Sequence, residues 1–214
     1  MKVKKICIMI LATTMFLSSV GCADDEETSS TSLIIGSTTP VEDLPPADFL
    51  SHLDESYFSE INFDNTDTSM LNSELVFHDI SFSINNDWKK EEVSEDSVLW
   101  YLNDVDGYFM VERYLYSDVV QYKTNDYEFI YDISAIPGSG TPTFLSENYY
   151  TIQNTRVYDI QYSKPYGDLE KVADSVLFQI GDYMYAISCV DNDIESTETR
   201  EFLPKILATL KINK

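Results

Sequence analysis

Three pairs of short aromatic and β-branched runs, each pair separated by a tight-turn signal, constrain this chain most. SVLWYLN and YFMVERYLY flank Asp104-Val105-Asp106-Gly107; NYYTIQN and RVYDIQYS meet around Asn154-Thr155; SVLFQI and YMYAISCV join at Gly181-Asp182. Runs of this composition, bounded by glycine, asparagine and aspartate, read as strands. Connections this short return the chain antiparallel to itself, because parallel neighbours need a long crossover. Gly107 is expected to supply the unusual backbone angle of its turn. LVFHDISFSI adds a strand with Ile80, Phe82 and Ile84 on one face and Ser81 and Ser83 on the other.

Two helical patterns accompany these strands. In NDYEFIYDISAIP, Asn125 or Asp126 is a cap, Phe129, Ile130 and Ile133 form an apolar stripe, and Pro137 is a stop. In STETREFLPKILATLKI, Ser196 or Thr197 caps a stripe of Leu203, Ile206, Leu207 and Leu210, with Lys205 and Lys211 left in water. Pro204 is expected to kink that helix or confine it to its later part. The fold class is therefore α+β, an antiparallel sheet of about six or seven strands flanked by helices in one domain over 75–214.

The other end of the chain carries an address. Lys2, Lys4 and Lys5 precede an apolar run from Ile6 to Leu17, and the small residues Ser18, Ser19 and Gly21 lead to Cys22. A charged start, a short apolar run and small residues at its end describe a secretory signal, too short to span a bilayer permanently. Val20, Gly21 and Cys22 resemble the lipobox of bacterial lipoproteins, which implies a signal peptide over 1–21 and a diacylglycerol on the Cys22 thiol. Ordinary cleavage after Gly21 or Ala23, giving a free secreted protein, is the alternative. Residues 22–48 are rich in acids, hydroxyls and proline without sustained periodicity and read as a flexible tether. Over 49–74, Pro45 and Pro46 introduce a short helix with Phe49, Leu50, Leu53, Tyr57 and Ile61 at helical spacing, followed by a linker.

With 37 acidic against 14 basic residues and a net charge of −23, the chain has no electrostatic footprint for nucleic acid. The same charge opposes anionic lipid head groups, so the expected membrane contact runs through the lipid on Cys22. Cys7 leaves with the signal and Cys22 takes the lipid, so the body keeps only Cys189. That excludes an intramolecular disulfide and a cysteine-built zinc site. Cys189 lies in an apolar strand pattern and reads as a buried small hydrophobe.

Catalytic and metal constellations are sparse. His52 and His78 are the only histidines; a Ser-His-Asp arrangement would need His78, and the chain has no Gly-x-Ser-x-Gly elbow. PGSGTP at 137–142 lacks the glycine spacing and lysine of a phosphate loop. Asp191, Asp193 and Glu195 share the spacing of the first three EF-hand ligands, but Ser196 stands at the turn glycine and Phe202 at the bidentate glutamate. They read instead as acids serving the following helix dipole. No cofactor, metal or catalytic residue is assigned. Tyr149, Tyr150, Tyr158 and Tyr162 lie on neighbouring strands, where alternation places several on one side as a sugar- or peptide-binding face or as core.

The order of elements — signal, lipid cysteine, polar tether, ISFSINNDW opening a meander and FLPKILATLKI closing it — resembles small bacterial lipoproteins of the PsbP-like fold, including DcrB-like proteins. Asn85-Asn86-Asp87 precede Trp88, where many relatives have a proline. The resemblance covers about residues 75–212 and implies an α/β/α sandwich with a binding or assembly role and no catalysis. The expected protein is an extracytoplasmic lipoprotein of the bacterial envelope whose partner is an envelope protein or glycan. A hydrolase of unrecognised type and a small-ligand module are the alternatives.

Overall fold

The computed structural model describes residues 48–103, 105–120, 135–138 and 140–213. The signal, Cys22 and all but the last residue of the tether lie outside these, as does the expected helix of 125–137 except for a bend at 135–137. The chain divides into two units, 1–41 and 42–214, and every described residue belongs to the second.

Among the described residues there are eleven strands: β1 (Ser59–Glu60), β2 (Ser73–Phe77), β3 (Ile80–Ile84), β4 (Lys89–Ser94), β5 (Ser97–Tyr101), β6 (Gly107–Leu115), β7 (Thr143–Ile152), β8 (Thr155–Tyr166), β9 (Leu169–Ile180), β10 (Tyr183–Asp191) and β11 (Lys211–Ile212). Eight form one sheet in the order β1-β7-β8-β9-β10-β6-β5-β4, and three form a second, β11-β3-β2. Every pairing is antiparallel except β1 with β7. The antiparallel expectation is met, while one sheet of six or seven strands becomes sheets of eight and three.

The turns explain the registers. Gln153 and Asn154 both take positive φ (50° and 62°) between the paired Ile152 and Thr155, the backbone that matches strand twist in a two-residue hairpin. Gly181 does the same (φ 58°) between Ile180 and Tyr183. LVFHDISFSI is not one strand: His78 takes φ 51° and, with Asp79, folds β2 back on β3. Gly107 is needed for a different reason from the one expected. A Cβ there would lie 1.9 Å from Thr199 Oγ1 and 2.4 Å from the Val190 carbonyl oxygen, so close approach, not turn conformation, excludes a side chain.

Alternation along β10 builds two cores. Tyr185, Ile187 and Cys189 face the small sheet and pack with Phe82, Trp100 and Phe109. Met184, Ala186 and Val190 face the opposite way, against Tyr158, Ile160, Leu177 and Ile136. Among the described residues helix cover is modest: α1 (Tyr116–Val120) and α2 (Leu203–Leu207) have five residues each. Leu203, Ile206, Leu207 and Leu210 are all buried, as expected of the stripe, Lys205 is partly covered, and Lys211 is exposed. The helix is shorter than the stripe suggests. Pro204 sits in its first turn, and Thr209 Oγ1 donates to the Ile206 carbonyl (2.8 Å) before the chain enters β11.

Residues 49–61 are not an α-helix. Turns at 49–53 and a 3-10 turn at Glu55–Tyr57, capped by Asp54, lead into β1 beside Tyr150 and Thr151. Leu50 is buried, Phe49 and Leu53 pack beside it, and Tyr57 is exposed. Arg156 holds the segment, bonding the Leu50 carbonyl (3.3 Å) and the Glu55 carboxylate, while Phe49 N–H donates to Gln179 (2.9 Å). The apolar residues that share a helical spacing are satisfied by turns, because the free edge of β7 recruits this stretch as a strand.

Candidate functional site

The β2–β3 turn brings His78 to the β4–β5 turn, Glu95-Asp96, at one end of the two sheets. His78 Nε2 lies 3.0 Å from the Glu95 carbonyl oxygen and 3.2 Å from Asp96 Oδ1. Arg113, from β6, donates to the same Oδ1 through Nε (2.7 Å) and its terminal nitrogen (2.6 Å), and its guanidinium lies 4.2 Å over the Tyr183 ring. Tyr185 Oη donates to Asp79 Oδ2 (2.7 Å); burial and that hydrogen bond push its phenol up to about 12. The arrangement is a bracket of turn residues: His78 against Glu95-Asp96 and Tyr185 against Asp79 tie the two sheets together, and Arg113 holds Asp96 within the large sheet.

A cleft lies on each side of this bracket. One, of about 480 Å³, runs between β2 and β4, with Leu75, Phe77 and Val98 in it and Val76, Val93 and Glu95 around it. The other, of about 510 Å³, is bounded by Asp96, Arg113, Tyr114, Asp118, Val119 and Tyr183. In the first, Ser94 Oγ accepts from the Asp96 N–H (3.2 Å), a local turn bond. His78 and Ser94 therefore both serve the turn, through groups a general base and a nucleophile would use.

Beside the second cleft, Glu112 on β6 is largely buried. Tyr114 interacts with its carboxyl, Ser97 Oγ donates to its Oε1 (3.4 Å), and its Oε2 is buried without a geometrically sound hydrogen bond. Burial pushes this carboxyl up to about 7.

The other candidates fall elsewhere. Cys22 lies outside the described residues. Cys189 is fully buried, and burial pushes its thiol well above the usual range. His52 is exposed near the start of the described chain. At Gly140 the backbone runs so close to Pro165 that a Cβ would lie 3.0 Å from its carbonyl oxygen. Tyr149, Tyr158 and Tyr162 share one face, with Tyr149 stacked on Tyr158 at 5.0 Å, but Tyr158 and Tyr162 are buried and Tyr150 points into the other core. These rings are core rather than a binding face. Asp191, Asp193 and Glu195 do not converge. Asp191 is fully buried and bonds Thr199 N–H (2.8 Å) and Arg200 Nε (2.7 Å), whereas Asp193 caps the Glu195 N–H (3.0 Å) at the surface. Neither the calcium reading nor the dipole reading describes Asp191.

Two polar clusters, one half-buried and one buried, had no sequence signal. Asp159 and Asp174, on β8 and β9, share a hydrogen bond; burial raises both, and in Asp174 the neighbouring carboxylate adds to it. Lys164 and Lys171 lie directly opposite each other and are both buried. Lys164 Nζ donates to the Ile136 carbonyl (3.0 Å), and Lys171 Nζ sits 4.2 Å over the Tyr166 ring. Burial lowers both amines. Polar residues at alternating strand positions look solvent-facing in sequence, and only the second layer covers these.

No known family profile matches the chain, nor does any curated protein. Among solved structures, it is similar to one from Bacteroides thetaiotaomicron, with 16% identity and TM-score 0.41 over 64% of this chain and 46% of that one. It is also similar to the Ran-binding protein Mog1p of Saccharomyces cerevisiae, with 13% identity and TM-score 0.48 over 66% and 96% of the two chains. A third is the cyanobacterial PsbP of Synechocystis, with 14% identity and TM-score 0.46 over 63% and 86%. The chain thus spans about half of the Bacteroides chain.

Proposed function

We infer that this protein is a lipoprotein anchored through Cys22 on the extracytoplasmic face of a bacterial membrane, where its PsbP-like domain has a non-catalytic binding or assembly role. The observation that carries the binding role is the opening between β2 and β4. Its histidine and serine are engaged by the adjoining turn, and its floor is apolar, so it suits holding a partner better than chemistry on one. The anchor rests on the charged start, apolar run and lipobox-like end of residues 1–22. A protein partner is favoured over a glycan because Tyr158 and Tyr162, which the sequence placed on neighbouring strands as a binding face, are buried.

Two measurements in cells test this. Fatty-acid labelling should mark the wild type and not Cys22→Ser; equal labelling removes the anchor. A photo-crosslinking side chain in place of Val93 should capture one discrete envelope protein in the membrane fraction. Absence of any adduct there and at surface control positions removes the binding role. Turnover of a substrate by the purified chain would instead favour the hydrolase reading.

A further inference from the structure

The opening between β2 and β4 is bounded by two strand edges. Among the described residues β2 pairs only with β3, and β4 only with β5. The two edges are not equally receptive. β4 reads KKEEVS, is exposed throughout and carries a bulge between Glu92 and Ser94, devices that blunt an edge against pairing. β2 reads SELVF, with no lysine, proline or bulge.

The register of β2 shows which backbone groups are on offer. The Ser83 N–H donates to Thr209 Oγ1 (2.9 Å), away from β2, so Glu74 and Ser83 form a non-hydrogen-bonded pair. By alternation, Glu74 and Val76 turn their N–H and C=O towards the opening. Val76 is 71% exposed, and Val93 across the opening is 60% exposed. The floor between them is Leu75, Phe77 and Val98, continuous with the core.

We propose that β2 is a docking edge for an extended peptide segment of a partner protein, which adds as a further strand to the small sheet. This specifies the binding role inferred above and rests on it. Backbone pairing with Glu74 and Val76 supplies the hold, and alternate apolar side chains of the peptide lie on the floor. Charge selects the occupant. Lys90 is paired with Glu92 (2.6 Å) and Asp96 with Arg113, which leaves Glu95 as an exposed acid beside the groove in a chain of net charge −23. The matching segment carries lysine or arginine next to its apolar residues. A second copy of this chain, bringing the same negative charge, is disfavoured as occupant.

The test uses the full mature chain with Cys22→Ser and three labelled peptides: Lys-Val-Thr-Val-Thr-Ile-Lys, its counterpart with both lysines changed to glutamate, and a version with proline at alternate positions. Fluorescence anisotropy should show saturable binding of the first alone, weakened by salt. Val76→Pro removes an outward N–H without touching the β2–β3 ladder and should weaken binding about tenfold or more, whereas Val76→Thr should bind nearly as wild type. Hydrogen exchange at Glu74 and Val76 should slow on binding, which a variant with altered stability cannot mimic. Flat titrations with all three peptides, equal binding of the acidic one, or unchanged affinity in a folded Val76→Pro protein would each overturn the docking edge. If a partner is captured in cells while these titrations stay flat, the binding role stands and the β2 site falls.

Discussion

Replacing Glu112 by glutamine should make the protein relatively more stable as pH rises. Glu112 is held in a largely buried place with one oxygen lacking a geometrically sound hydrogen bond, and its folded-state value is about 7 against an ordinary 4.5. The folded chain therefore holds a proton there that the unfolded chain releases. The stabilisation is complete below about pH 4.5 and is lost as pH rises towards 7. At about 1.36 kcal/mol per pH unit the loss comes to about 3 kcal/mol, which for a chain of this size is about 6–12 °C in melting temperature. Glutamine keeps the shape and the acceptor for Ser97 but has no proton to lose. Its buried amide carries a cost of its own, the same at every pH, so the informative quantity is the difference between the two curves. Thermal unfolding of wild type and Glu112→Gln should be followed from about pH 4 to pH 8. The variant should gain on wild type across that window by about 3 kcal/mol. Parallel curves would mean that Glu112 is ionised at no cost, and the burial argument would be refuted. The Asp159–Asp174 pair imposes a pH dependence of the same sign but lies on the other face of the sheet, so it is common to both proteins.

Gly107→Ala should cost about 1–3 kcal/mol or more, read by denaturant titration, because the new Cβ meets the Val190 backbone as well as Thr199; a neutral result would show that the β10 end gives way freely. Leu207→Ala should lower stability by about 2–5 kcal/mol while Lys211→Ala, at an exposed ion pair with Glu74, changes the melting temperature little; equal effects would mean that α2 is not packed on the sheet. Leu50→Ala should also destabilise by about 2–5 kcal/mol, since Leu50 is buried in the second core, and an unchanged melting curve would place residues 48–53 outside the cooperative unit.

What the sequence made legible was local. The turn at Gly181-Asp182, the antiparallel order of β7 to β10 and the buried stripe of α2 all follow from short-range spacing, and the structure has them. What it concealed depends on partners far along the chain. Residues 49–61 have a helix-like spacing, but the vacant edge of β7, much later in the chain, makes two of them a strand. LVFHDISFSI alternates well enough to pass for one strand, because nothing local announces that His78 turns back on itself. Of the candidate site, His78 could be singled out as the only histidine of 75–214, but not its partners. Asp96 and Arg113 are ordinary surface charges in sequence; Asp96 meets His78 only because two turns from different sheets arrive at the same end, and Arg113 reaches the same carboxylate from β6.

The stretch DNDIESTE shows the same contrast at the point where the fold closes. Its acids look alike in sequence, yet Asp191 is still inside the ladder, opposite Gly107 and Val172, while Asp193 and Glu195 are already in water. Asp191 accepts from Thr199 N–H and Ser196 Oγ with one oxygen and from Arg200 with the other. A buried carboxylate is tolerated only with such a set of donors, and those donors fix the path of the chain as it leaves β10. Thr199 is thereby pressed against Gly107, which is why no side chain fits there. From Thr199 the chain is aimed so that Leu203, Ile206 and Leu207 land on the core and Lys211–Ile212 reaches β3. The three-stranded sheet thus gains β11 on one edge, and β2 remains as the other. One buried carboxylate and one missing Cβ together decide which edge of the small sheet stays open.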